Sequence, residues 1–173
     1  MAYAGWVKLA VGEVVVYGQY GVGRIAARDQ RVVLGATQEV LVLEFTDGLS
    51  VTLPIERARA LLRPLLGEED LLRVQKTLRE QHALSEDNWL RRRKATQEKM
   101  AGGDPLRLAE VVRDCARRQQ RLMPAGGVSK LSGSEKDVYL RARRLLSEEI
   151  GLARGVEPAE AEAWIEQQLA APA

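Results

Sequence analysis

The chain holds one cysteine and one histidine among 173 residues. Cys115 therefore has no partner for an intrachain disulfide, and with His82 it supplies only two of the four ligands of a usual zinc site. Neither a metal nor a cofactor is expected, and a reducing compartment is the simplest setting. No apolar run approaches the roughly 18 to 20 residues of a membrane span. Residues 1–8 lack the basic-then-apolar order of a signal peptide. The expectation is a soluble, cytoplasmic protein with no membrane partner. The net charge is only +2 with 29% charged residues, so there is no polyelectrolyte tail, and any affinity for nucleic acid must come from uneven placement of charge. There is no Walker-type phosphate loop, repeat or long low-complexity segment; Gly21-Val22-Gly23 has too few glycines for a nucleotide fingerprint and reads as turn and bulge geometry.

What is present falls into two halves with different periods. Short runs rich in β-branched residues occupy 14–17, 22–26, 31–34, 40–45 and 50–53, separated by turn signals at residues 18–21, Gly35-Ala36 and Asp47-Gly48. Five short strands with tight turns predict a small, curled antiparallel sheet of the SH3 or Tudor kind. After Pro64 the period becomes helical, with helices over 68–81, 86–101, 105–122, 133–153 and 158–170. Ser85 is the expected N-cap of the second, Gly102-Gly103 its stop, and Asp104-Pro105 the start of the third. Ser132 and Glu135 have capping-box spacing. Buried faces are expected at Leu108, Ala109, Val112, Cys115 and Ala116, and at Val138, Ala142, Leu145 and Leu152. The fold class is α+β, a small N-terminal sheet over 1–66 followed by an all-helical bundle over 67–173.

Charge is placed unevenly along the helical half. Residues 89–121 carry ten basic and four acidic side chains, a net +6, whereas 67–88 and 122–173 are each net acidic. Such a concentration fits a phosphate-binding surface, although charge alone does not separate it from an ordinary Arg-rich helix face. Trp89 stands directly before Leu90 and the run Arg91-Arg92-Arg93-Lys94. A tryptophan there fits core packing, and equally a wedge into the DNA minor groove flanked by phosphate-holding cations. A metal-dependent nuclease would need Asp104, Glu110 and Asp114 together, but neighbouring arginines favour ion pairing, and His82 has no evident nucleophile or orienting partner.

The run Asn88-Trp89-Leu90-Arg91-Arg92-Arg93-Lys94-Ala95, followed by Gln97-Glu98-Lys99, Gly103-Asp104 and Ala109-Glu110-Val111-Val112-Arg113-Asp114, resembles the C-terminal domain of the CarD/CdnL family. Residues 132–136 and Ala142-Arg143 continue the likeness. Gly12-Glu13-Val14-Val15-Val16-Tyr17, Gly21-Val22-Gly23 and the strand over 39–45 resemble the family's N-terminal domain. The resemblance covers residues 11–169. It implies a bacterial transcription regulator, not an enzyme and monomeric, whose N-terminal domain docks on the RNA polymerase β subunit. The helical domain would contact promoter DNA, without reading its sequence, at the upstream edge of the transcription bubble and so stabilise the open complex. By position, Trp89 matches the minor-groove wedge, and Arg91, Lys94 and Lys136 the basic DNA-contacting positions, with Arg92 assigned to the same contact. Arg31 matches a polymerase-contacting arginine, with Leu41, Leu43 and Thr52 assigned to the same contact. Thr52 stands where one branch of the family has a second arginine, and Gly18 replaces a common proline. The alternative is a protein-interaction adaptor that uses only its β half, as in the similar domain of the transcription-repair coupling factor.

Overall fold

The computed structural model of the protein describes residues 7–81, 88–121 and 131–171, and of Gln19, Val33 and Trp89 the backbone alone. The chain divides into two compact units between Leu65 and Leu66. The architecture is α+β, with a Tudor-like sheet first and helices after it.

The first unit contains β1 (Val14–Tyr17), β2 (Gly21–Val33), β3 (Ala36–Phe45), β4 (Ser50–Pro54), a short helix α1 (Ile55–Leu61) and β5 (Leu62–Arg63). The strands lie in the order β4-β3-β2-β1-β5, with each pair antiparallel. The two strands expected at 22–26 and 31–34 are one continuous strand. Its polar middle, Ala27-Arg28-Asp29-Gln30, reads as a break but pairs in register with Val42, Leu41, Val40 and Glu39. An ion pair between Arg28 and Glu39 joins the two strands there. The register slips between Ile25 and Ala27, and a bulge of this kind increases twist and curls the sheet. Gly23 sits opposite Phe45; a Cβ at this position would lie 2.9 Å from the Phe45 ring, so only glycine allows the ring to cover the strand. The turn at Asp47-Gly48 forms as expected, with Asp47 Oδ1 accepting the Leu49 N–H at 3.0 Å. Neither α1 nor β5 was legible: seven residues are too few to show a helical period, and α1 is anchored by Ile55 and Ala58 alone. The core of this unit is Val15, Ile25, Leu41, Leu43, Phe45, Leu53, Ala58 and Leu62.

The second unit contains α2 (Glu68–Arg79), α3 (Trp89–Ala101), α4 (Pro105–Arg121), α5 (Gly133–Arg154) and α6 (Pro158–Ala170). The central helix is α4, which packs against α2, α3 and α5. It buries Leu108, Ala109, Val111, Val112 and Ala116, while Cys115 is only half-buried. Ser132 and Glu135 form the expected capping box on α5. Gly155, at φ 66°, closes the same helix in the left-handed conformation, where a side chain would be strained. Along α5 the buried face runs through Tyr139, Ala142, Leu145, Leu146 and Ile150, with Val138 half-buried. Leu152, expected on that face, is 51% exposed. The last turn of α5 instead meets the start of α6 through Gly151, and Leu152 lies a hundred degrees further round the helix. The start of α3 also differs from expectation. Asn88, not Ser85, is its N-cap; Ser85, Glu86, His82 and Leu122 lie outside the described residues.

Candidate functional site

The basic run opens α3 because Asn88 begins it: its Oδ1 accepts the Arg91 N–H at 3.0 Å, satisfying one of the otherwise unpaired amides of the first turn. Among the described side chains of α3, Arg92, Thr96, Lys99 and Met100 are partly or fully buried, and of these only Met100 is apolar. The others make polar ties. Arg92 lies 3.5 Å from Glu135 of α5, and Lys99 lies 2.9 Å from Glu110 and 3.7 Å from Asp114 of α4. Arg91, Lys94, Ala95 and Glu98 share the opposite, exposed face. Trp89 occupies the first helical position, two residues before Arg91; its side chain is not among those described.

The Arg92–Glu135 pair brings the first turns of α3 and α5 together, and Lys136, the next residue, is exposed. Burial pushes the Glu135 carboxyl up, but hydrogen bonds from Ser132 and the Arg92 charge outweigh it and hold the group below the usual carboxylate range. Of the sequence-selected cations, Arg91, Lys94 and Lys136 are thus exposed, while Arg92 is engaged in joining two helices.

The basic residues of α4 are placed differently. Arg113 is 4% exposed: it pairs with Asp114 and with Glu80 and donates to the Thr77 carbonyl at 3.3 Å. Arg117 donates to the Arg79 carbonyl at 3.3 Å. Two arginines of α4 therefore satisfy carbonyls in the last turn of α2, complementing its C-terminal dipole. This role left no trace in the sequence, because the carbonyls lie 36 and 38 residues away. Arg107 lies 3.4 Å from Glu110. The carboxylates weighed for a metal site are accounted for in the same way. Asp104 caps α4 through the Leu106 and Arg107 amides, and Glu110 and Asp114 both bind Lys99. No metal-holding cluster occurs among the described residues.

A groove of about 430 Å³ lies between α3, α4 and α5, lined by Arg93, Thr96, Arg118 and Val138 among others. Cys115 also lines it, and burial, followed by the Asp114 and Glu135 charges, pushes its thiol up to about 11. The thiol is protonated at neutral pH and serves as packing, as its place on the helix led one to expect.

In the sheet unit, register puts Arg31 opposite Gln38 and Thr52 opposite Val42. Gln38 and Val42 are four residues apart on β3, so Arg31 and Thr52 share the outward face, separated by roughly 13 Å along the strand. Both are exposed. Leu41 and Leu43 require a correction. Each has 0% exposure and lies in the core, and transferring either to a partner would forfeit roughly 1.5 to 3 kcal/mol of burial. Nor can their strand offer its backbone, since β3 is paired on both sides, whereas β4 has a single neighbour in the sheet.

No helix among the described residues is long and apolar enough to cross a membrane. Comparison with known families matches residues 73–166 to the CarD C-terminal domain and residues 9–66 to the CarD-like/TRCF RID domain. Both halves are thus matched in their expected order. The chain belongs to the CarD family of RNA polymerase-interacting transcription regulators.

Proposed function

We propose that this protein, acting as a cytoplasmic monomer without catalytic activity, docks on the RNA polymerase β subunit through its sheet unit. Its helical unit stabilises the promoter open complex. The observation that carries the reading is the outward face of α3, where Arg91 and Lys94 stand exposed directly after Trp89, with Lys136 beside the first turn. Cations in this arrangement hold phosphates on either side of a wedge. Trp89 inserts at a minor-groove step at the upstream edge of the bubble. Unstacking a step costs a few kcal/mol, so the wedge favours duplex that is already distorted, and shape is read in place of sequence.

Docking on polymerase uses the open edge of β4 and the outward face that carries Arg31 and Thr52. An unpaired edge accepts a partner strand through main-chain hydrogen bonds. Exposed Arg31, 3.4 Å from Asp29, supplies charge beside that face.

A division-of-labour experiment tests the reading. Arg31→Glu is expected to impair capture of purified polymerase while leaving affinity for free forked DNA unchanged, and Trp89→Ala to do the reverse. Equal loss of both activities in either variant contradicts separate docking and DNA-contacting units. Unchanged DNA affinity in both Trp89→Ala and Arg91→Glu would favour the adaptor reading.

A further inference from the structure

The segment 122–173 is net acidic in sequence, yet one face of α5 is basic. Two of its four acids are turned elsewhere: Glu135 is held by Arg92 and Ser132, and Glu149 is 1% exposed with its Oε1 on the Leu66 amide at 2.9 Å, while half-buried Glu148 pairs with Arg144. Lys136, Leu140 and Arg144 follow one another at helical spacing, flanked by Arg141 and by Asp137, the single exposed acid of this face. Leu140 is 52% exposed in the middle of these cations. Arg143 is not part of the stripe; it turns to Glu166 of α6 at 2.8 Å.

From this placement we infer that the DNA-contacting surface continues from the start of α3 along α5, with Arg141 and Arg144 on backbone phosphates and Leu140 packed on the deoxyribose between them. This rests on the proposed DNA contact of α3 and extends it to residues that the basic run does not include. Three features support it. Lys136 to Arg144 spans roughly 12 Å of helix, and each DNA strand presents a phosphate about every 3.4 Å of duplex axis, so the stripe meets more than one. The stripe starts at Lys136, which already belongs to the proposed contact and follows the Glu135 that pairs with Arg92. Arg144 is half exposed and lies 3.7 Å from Glu148; a surface pair of this kind is worth little, so a phosphate displaces it readily.

The test is the salt dependence of full-length protein binding to a fluorescently labelled duplex with a single-stranded fork. It uses wild type, Arg91→Glu and the double variant Arg141→Gln/Arg144→Gln. The double variant is expected to flatten the log–log slope by about two, since each phosphate that is no longer neutralised lowers it by roughly 0.9. Leu140→Ala is expected to weaken binding with the slope unchanged. If Arg91→Glu flattens the slope and the double variant does not, the α5 extension is wrong and the α3 contact stands. If neither changes the slope, the α3 reading fails and the extension with it. A benzoylphenylalanine at position 140 gives an independent readout. It is expected to crosslink to the DNA under ultraviolet light, and its failure to do so while one at position 91 succeeds would likewise overturn the extension.

Discussion

Helices α3 and α4 each carry five basic residues, Arg91, Arg92, Arg93, Lys94 and Lys99 on one and Arg107, Arg113, Arg117, Arg118 and Arg121 on the other. They use them for different ends. On α3, Arg91 and Lys94 point away from the bundle, whereas on α4 Arg113 is buried and, with Arg117, turned onto the last turn of α2. The difference follows from burial. The central helix has neighbours on several sides, so a long side chain on one of its covered faces must reach a partner inside the protein. Among the described side chains of α3, Met100 is the one buried apolar residue; Arg92 and Lys99 tie the helix by ion pairs, and Arg91, Lys94, Ala95 and Glu98 are exposed. A net charge summed over both helices therefore overstates the surface offered to phosphate, and exposure decides which cations count.

The largest effect should come from the buried side of this contrast. Arg113→Ala removes the partner of Glu80, Asp114 and the Thr77 carbonyl and is expected to cost about 2 to 4 kcal/mol in urea unfolding. A loss well under 1 kcal/mol would place Arg113 with the surface cations. Asn88→Ala should come next, at about 1 kcal/mol from removal of the N-cap, with reduced helicity confined to the first turn of α3. Arg91→Glu and Lys94→Glu should change stability by less than about 0.5 kcal/mol. Each should nevertheless flatten the salt dependence of DNA binding by about one. Unfolding that tracks the DNA defect would erase the distinction between the two helices.

The smallest effect concerns the tie between them. Burial pushes the Glu110 carboxyl up, but the Lys99 hydrogen bond and the Lys99, Arg107 and Arg113 charges bring it below its ordinary 4.5. A depressed carboxylate contributes stability above its unfolded pKa and loses it as pH falls through the folded one. The stability difference between wild type and Glu110→Gln should accordingly be constant near neutrality and shrink once pH drops below 4.5. A difference that grows on acidification would contradict the pairing.

How much of this was legible depended on range. Local signals read correctly: the Asp47-Gly48 hairpin and the Ser132–Glu135 capping box are each fixed by neighbouring residues. What failed was set by distant partners. Ala27-Arg28-Asp29-Gln30 joins a strand because β3 pairs with it, and Leu152 is exposed because α6 meets the other side of α5. For the candidate site, the run from Trp89 to Lys94 stood out as sequence, and with it the exposed Arg91 and Lys94. The inward turn of Arg92 and the cap that Arg113 and Arg117 form on α2 are tertiary facts that no spacing encodes. The assignment of Leu41 and Leu43 to the polymerase contact failed for the opposite reason. Alternation marked the strand but not which face the core would claim, and both leucines face the core.

In the proposed mechanism, Trp89 and the exposed cations of α3 hold the edge of the bubble open. The decisive experiment is the lifetime of purified polymerase–promoter open complexes under competitor challenge, with wild-type protein, with Trp89→Ala and with no added protein. The expected outcome is a longer lifetime with wild type, and a lifetime near that of polymerase alone with a folded Trp89→Ala variant that still binds polymerase. Equal lengthening by both proteins would refute the wedge.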